Sequence, residues 1–136
     1  MHPSVAKRLL LHLHNLPNTL VGLALGSLGL PFGATALRGN GALQFLAHPF
    51  ILPGYAMTLG AVVLYGRGAR PESPTRTGTT LADHERQHIR QGEQLGILYL
   101  VSNLLGGLAA ILRDGRWHGA SNWNERGPGA VPPRPW

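Results

Sequence analysis

Thr80-Leu81-Ala82-Asp83-His84-Glu85-Arg86-Gln87-His88 holds most of the chemistry this chain announces. Thr80 to Asp83 has the form of a capping box, so a helix is expected to start near Leu81. On that helix His84 and His88, four residues apart, share one face and can aim two imidazole nitrogens at one ion. Glu85 sits beside that face, where a carboxylate can take a proton from an activated water. The pattern is H-E-x-x-H, the zinc-site spacing. The competing explanation is a solvated helix face with two incidental histidines.

Two histidines need a third protein ligand. Downstream of His88 the carboxylates are Glu93, Asp114 and Glu125. Glu93, five residues on, is rotated away on the same helix. Asp114 would lie about 39 Å away if the helix ran on unbroken. Glu125 falls in a segment that can fold back, and His118 is the alternative. Two His plus Glu with an open position is a common catalytic set, which favours Glu125. Gln91, one turn beyond His88, is placed to orient its ring.

The rest of the composition points toward lipid. The 136 residues make one domain. Charged residues are only 13%, against a usual share of about 25%. The formal net charge of +6 comes from scattered cations with no basic run interleaved with aromatics, which argues against nucleic acid and for anionic headgroups. The absence of cysteine removes disulfides and thiolate chemistry. The opening residues read as an amphipathic lead-in on a membrane surface: Lys7-Arg8 is followed by Leu9, Leu10, Leu13, Leu16 and Leu20 at helical spacing. His12 and His14, two apart, do not share a helix face and are read as interfacial groups, not ligands.

Asn15 to Leu37 carries no charge. It predicts an apolar helix with Pro17 at its start and a stop at Pro31-Phe32-Gly33. Gly22, Gly26 and Gly29 would let it pack closely on another helix, so residues 20–30 are a candidate homo-oligomer contact. A signal peptide ending near Gly33-Ala34-Thr35-Ala36 is the rival. Ala42–Leu46 and Tyr55–Tyr65 read as short antiparallel strands, the second one buried, with a membrane helix as its alternative. His48 falls in a loop. Gln94 to Leu112 has nineteen residues without charge, about 28 Å of helix against a bilayer core of about 30 Å. The metal helix is therefore expected to continue into a long apolar membrane helix, kinked at Gly96 or Gly106-Gly107. The expected class is α+β. Residues 127–136 are Pro-rich and read as a disordered tail.

Leu16-Pro17-Asn18-Thr19, Met57-Thr58-Leu59-Gly60, His84 to Gln91 and Asn122-Trp123-Asn124-Glu125 together resemble a small family of uncharacterised bacterial membrane-associated proteins. The H-E-x-x-H motif with a distant Glu is similar to the gluzincin-type zinc metallopeptidases. The resemblance covers most of residues 16–126 and implies one zincin-like domain over 1–126. It further implies Zn2+ on His84, His88 and Glu125, Glu85 as general base, a peptide or protein substrate, and a bacterial inner-membrane location. The alternative is a non-enzymatic small membrane protein with a structural or vestigial metal site.

Overall fold

The computed structural model describes residues 4–136. Two helices open the chain, α1 (Val5–His14) and α2 (Leu16–Gly29), joined at Asn15 and followed by a 3-10 turn at Leu30–Phe32. Ser4 caps α1 by accepting from the Lys7 amide, and Pro17 sits in the first turn of α2, where a missing N–H costs nothing. Gly33 stops the turn in a left-handed conformation, φ 97°, that suits glycine.

Four strands follow: β1 (Thr35–Gly39), β2 (Ala42–Leu46), β3 (Ala56–Leu59) and β4 (Val62–Tyr65), in sheet order β1-β2-β4-β3. Ala42–Leu46 is the strand expected. Tyr55–Tyr65 is not one strand but a tight hairpin that reverses at Gly60, φ 64°, where the backbone meets Thr19. The sheet is also not purely antiparallel, because β2 and β4 pair in parallel. The crossover through residues 47–61 brings the hairpin back beside β2.

The period of two along β4 decides the layers. Val62 and Leu64 join Phe45 and Leu59 in one cluster, packed with Leu23 of α2 and, from farther along the chain, Leu100. Val63 and Tyr65 face the other way, clustered with Ala69, Ile89 and Leu81. Ile89 and Leu81 belong to α3 (Leu81–Leu95), which carries the metal motif. Thr80 caps α3 as expected: its hydroxyl accepts from the Asp83 amide at 3.1 Å and donates to the Asp83 carboxylate at 2.8 Å.

The expected continuous helix does not exist. α3 ends at Leu95, Gly96 takes φ 57° and ψ −135°, and α4 (Leu98–Asp114) starts on a new axis. Asn18 ties α2 to the break by donating its side-chain amide at 2.8 Å to the Gly96 carbonyl, which also accepts from the Tyr99 amide at 3.0 Å. Among the described residues no helix is long and apolar enough to cross a membrane, so the membrane-helix part of the expected fold is overturned. Breaking at Gly96 splits the nineteen-residue uncharged run, and α4 packs against α3 and the later short helix, reaching the sheet through Leu100 and the Tyr99 hydroxyl.

The glycines of α2 also serve this packing. A side chain at Gly22 would strike Leu59 and Val62, one at Gly26 the Phe45 ring, and one at Gly29 His48. The face expected to meet another helix is spent on the sheet inside the same chain. Gly106 and Gly107 do not kink α4. They make room for Asn122, Asn124 and Trp117 of the segment that follows. A last short helix, α5 (Trp123–Arg126), carries Glu125. The Pro-rich end turns back from there: Pro128 is fully buried, and the Pro135 carbonyl accepts from Gln91.

Candidate metal centre

α3 delivers His84, Glu85, His88 and Gln91 along about two turns. α5 delivers Glu125 against them. Four anchors hold this short helix in place. Asn122 caps it by accepting from the Asn124 amide at 3.1 Å and donates to the Trp117 carbonyl at 2.9 Å. Asn124, fully buried, donates to the Ser102 carbonyl at 2.8 Å and accepts from the Ser102 hydroxyl at 3.0 Å. Asp114 ties the preceding loop by accepting from the amide and hydroxyl of Ser121. Gln91 donates to the Asn124 carbonyl at 2.8 Å, bonding the metal helix directly to the residue before Glu125.

The result is one cluster of three donors. His84 Nε2 lies 3.0 Å from Glu125 Oε2, His88 Nε2 lies 3.4 Å from Glu125 Oε1, and the two Nε2 atoms are 3.3 Å apart. His84, His88 and Glu125 form a group able to hold a metal ion. The spacing fits a small tetrahedral ion: with bonds of about 2.0–2.1 Å, donors at neighbouring corners stand about 3.3 Å apart. His88 Nδ1 lies 2.8 Å from Gln91 Oε1, so Nδ1–H donates to the amide oxygen and Nε2 is left as the lone-pair donor toward the cluster. Gln91 therefore takes the orienting position expected of it.

Without a metal, the cluster is held by charge. Burial works against a proton on His88. Hydrogen bonding and charge from Glu125, with the charge of Glu85 behind it, overcome burial and push the imidazole up to about 9. Burial would raise the Glu125 carboxyl, but hydrogen bonds from His84 and His88 and their charge hold it well below the usual carboxylate range.

Glu85 is not part of the donor set. It is 4% exposed and turned toward the sheet, where the Thr58 hydroxyl of β3 donates to its Oε2 at 2.6 Å. Thr58 is held in turn, its carbonyl accepting from the Tyr99 hydroxyl at 3.3 Å while Asn103 donates to that hydroxyl at 3.2 Å. Burial first, and then the Glu85 and Glu125 charges, push Tyr99 far above the ordinary tyrosine value, so it acts as a neutral donor. The break at Gly96 is what brings Tyr99 to β3.

His118 is outside the cluster. Its Nε2 is 3.9 Å from Glu125 Oε1, its side chain is 49% exposed, and its ring stacks on Tyr55 at 5.6 Å. Of the other histidines, His12 and His14 are on α1 and His48 is buried against α2, its Nε2 2.8 Å from the Leu25 carbonyl. Glu93 lines a different recess with Arg86 and Arg90, and Asp114 is committed to Ser121.

Thr58 and Asn18 are the site-building residues that spacing did not single out. Both lie in the stretches that carry the family resemblance, Met57-Thr58-Leu59-Gly60 and Leu16-Pro17-Asn18-Thr19, but only folding shows what they touch. No protein-family model, curated protein or solved structure matches this chain.

Proposed function

We propose that the protein is a zinc-dependent metallopeptidase, with His84, His88 and Glu125 as ligands and Glu85 as general base. The observation that carries this reading is the juxtaposition of a three-donor cluster with a separate buried carboxylate on the same helix. Two imidazoles and one carboxylate are a donor set that suits zinc and leaves a fourth position for solvent. Bound there, zinc supplies a Lewis acid that lowers the pKa of a water to about 7.

This chain's residues do the rest. Glu85 takes the proton of the attacking water on the carboxylate oxygen that Thr58 does not engage, then passes it to the leaving amine. Gln91 keeps His88 in the tautomer that presents Nε2. His118 is the nearest further donor on the open side of Glu125, where it can hydrogen-bond a substrate carbonyl oxygen as charge develops on it. β3 is the edge strand beyond β4 and runs beside α3, next to the cluster that would face a bound peptide.

A second reading is favoured by the same His118. A shift of its ring toward the cluster would make a closed four-donor site, which is the structural form of zinc binding. Zinc per chain and hydrolysis of a peptide library separate the two. Under the peptidase reading, wild type holds one zinc and cleaves, Glu85→Gln holds zinc and does not cleave, and Glu125→Gln loses zinc. A wild type that holds zinc and cleaves nothing, while His118→Ala lowers its zinc content, would establish the structural site instead.

A further inference from the structure

The outer surface of α1, α2 and α4 is apolar to a degree that water does not favour. On α1, Val5, Leu9, Leu10 and Leu13 fall on one arc of the helix, and they are 74%, 58%, 66% and 55% exposed. An amphipathic helix on a protein in water turns that arc inward. Here it turns outward, and no residue of α1 is buried. α2, packed on the sheet, and α4, packed on α3 and the segment after it, repeat the arrangement. The small residues Gly22, Gly26 and Ala110 go in, while Leu20, Leu28, Leu104, Leu105 and Leu112 stay out. Exposed apolar area on this scale marks an interaction surface.

Charge identifies what covers it. The first 71 residues hold Lys7, Arg8, Arg38, Arg67 and Arg70, and their first acidic neighbour in the chain is Glu72. Lys7 and Arg8 flank the apolar arc of α1, and Arg113 and Arg116 follow the apolar face of α4. An exposed leucine surface edged mainly by cations, with Asp114 at the end of α4 engaged by Ser121, complements a bilayer with anionic headgroups.

We infer that α1, α2 and the outer face of α4 seat the protein in one leaflet of an anionic bilayer, lying in the plane of the interface without crossing it. This surface is separate from the metal cluster and does not rest on the peptidase reading.

Flotation of the purified full chain with vesicles tests it. Phosphatidylglycerol–phosphatidylcholine vesicles should carry the protein up, and phosphatidylcholine alone should carry far less. Lys7→Gln with Arg8→Gln should weaken partition about 30-fold, since each cation near an anionic surface contributes about five-fold. Leu9→Gln with Leu13→Gln should weaken it at least as much, with the melting temperature in detergent and the zinc content unchanged because those side chains are exposed. Urea wash at high pH should strip the wild type from vesicles, as no segment spans them. A chain that stays soluble and monomeric and floats with no vesicle overturns the inference. So does a dimer that the Leu9→Gln, Leu13→Gln pair dissociates, since a second copy would then be the cover. Equal flotation with both vesicle types overturns the charge complementarity.

Discussion

The two sides of the sheet have opposite chemistry. Toward α3, buried polar groups dominate: Gln44, Thr58, Glu85, Gln87, His88 and Gln91 are all below a tenth exposed. On the face toward α2 the buried cluster is Phe45, Leu59, Val62 and Leu64, and the outer surface of α2 and α4 exposes leucines. A buried polar group costs about 1–3 kcal/mol when unpaired, so such a cluster persists only where most of its groups find partners, Gln44 Nε2 being an exception. On the α3 side Thr58, His88 and Gln91 are each paired by named residues, as expected of a preorganised site. The opposite face of the sheet is an apolar cluster, and the leucine-rich exterior of α2 and α4 suits a different solvent.

The sharpest way to break this contrast is Glu85→Gln. It keeps the Thr58 partner and the size of the side chain but removes its basicity. Peptide hydrolysis should fall by about 10²–10⁴ while zinc per chain and the fold persist. Loss of zinc in this variant would move Glu85 into the donor set and erase the distinction between base and ligand. Next in size is Gln91→Leu, which leaves His88 Nδ1 without its acceptor and frees the Asn124 carbonyl. Metal affinity should drop about 10–100-fold by competition with a chelator, whereas His12→Ala and His48→Ala should leave it within error.

The charge holding the metal-free cluster gives a pH signature. His88 titrates at about 9 in the folded chain against an ordinary 6.5, so its contribution to stability is complete below about 6.5 and is lost as pH rises through about 9. Glu125 is shifted down, so its contribution is present above about 4.5 and lost as pH falls toward its lowered value. Melting of the metal-free protein should therefore be highest between about pH 4.5 and 6.5. Zinc requires a neutral His88, so its apparent affinity should rise with pH up to about 9 and its binding should release protons. A metal-free protein whose stability climbs from pH 6.5 to 9 would contradict the His88–Glu125 pairing.

The smallest effects test the apolar side. Gly26→Ala drives a methyl into the Phe45 ring and should cost about 1–3 kcal/mol. Leu28→Gln, on the outer face of the same helix, should stay within about 0.5 kcal/mol in detergent. Similar losses from both would mean that the outer leucines pack within the chain.

How far the primary structure could be read depended on distance along it. The start of α3 at Leu81, the pairing of His84 with His88 and the orienting place of Gln91 are local helix geometry, fixed by spacings of three and four residues. Glu125 was legible only by elimination. The reason given for discarding Asp114, a continuous helix of about 39 Å, is not the reason it is absent. The chain turns at Gly96, and Asp114 is occupied with Ser121. That turn depends on Asn18, 78 residues away, and hydropathy cannot register a hydrogen bond across such a separation. The hairpin at Gly60 was hidden for the same reason, because the apolar residues on both sides of it read as one buried strand until Thr19 closed on the turn.

Composition alone established that the chain is short of charge and rich in leucine and glycine. Folding settled which of these faced inward. Glycines at 22, 26 and 29 suit close packing on any partner, and the parallel pairing of β2 with β4 put a sheet beneath them. Leu25 and Leu28 were left outside, because a helix with its small residues turned inward must point the large ones on its other face away.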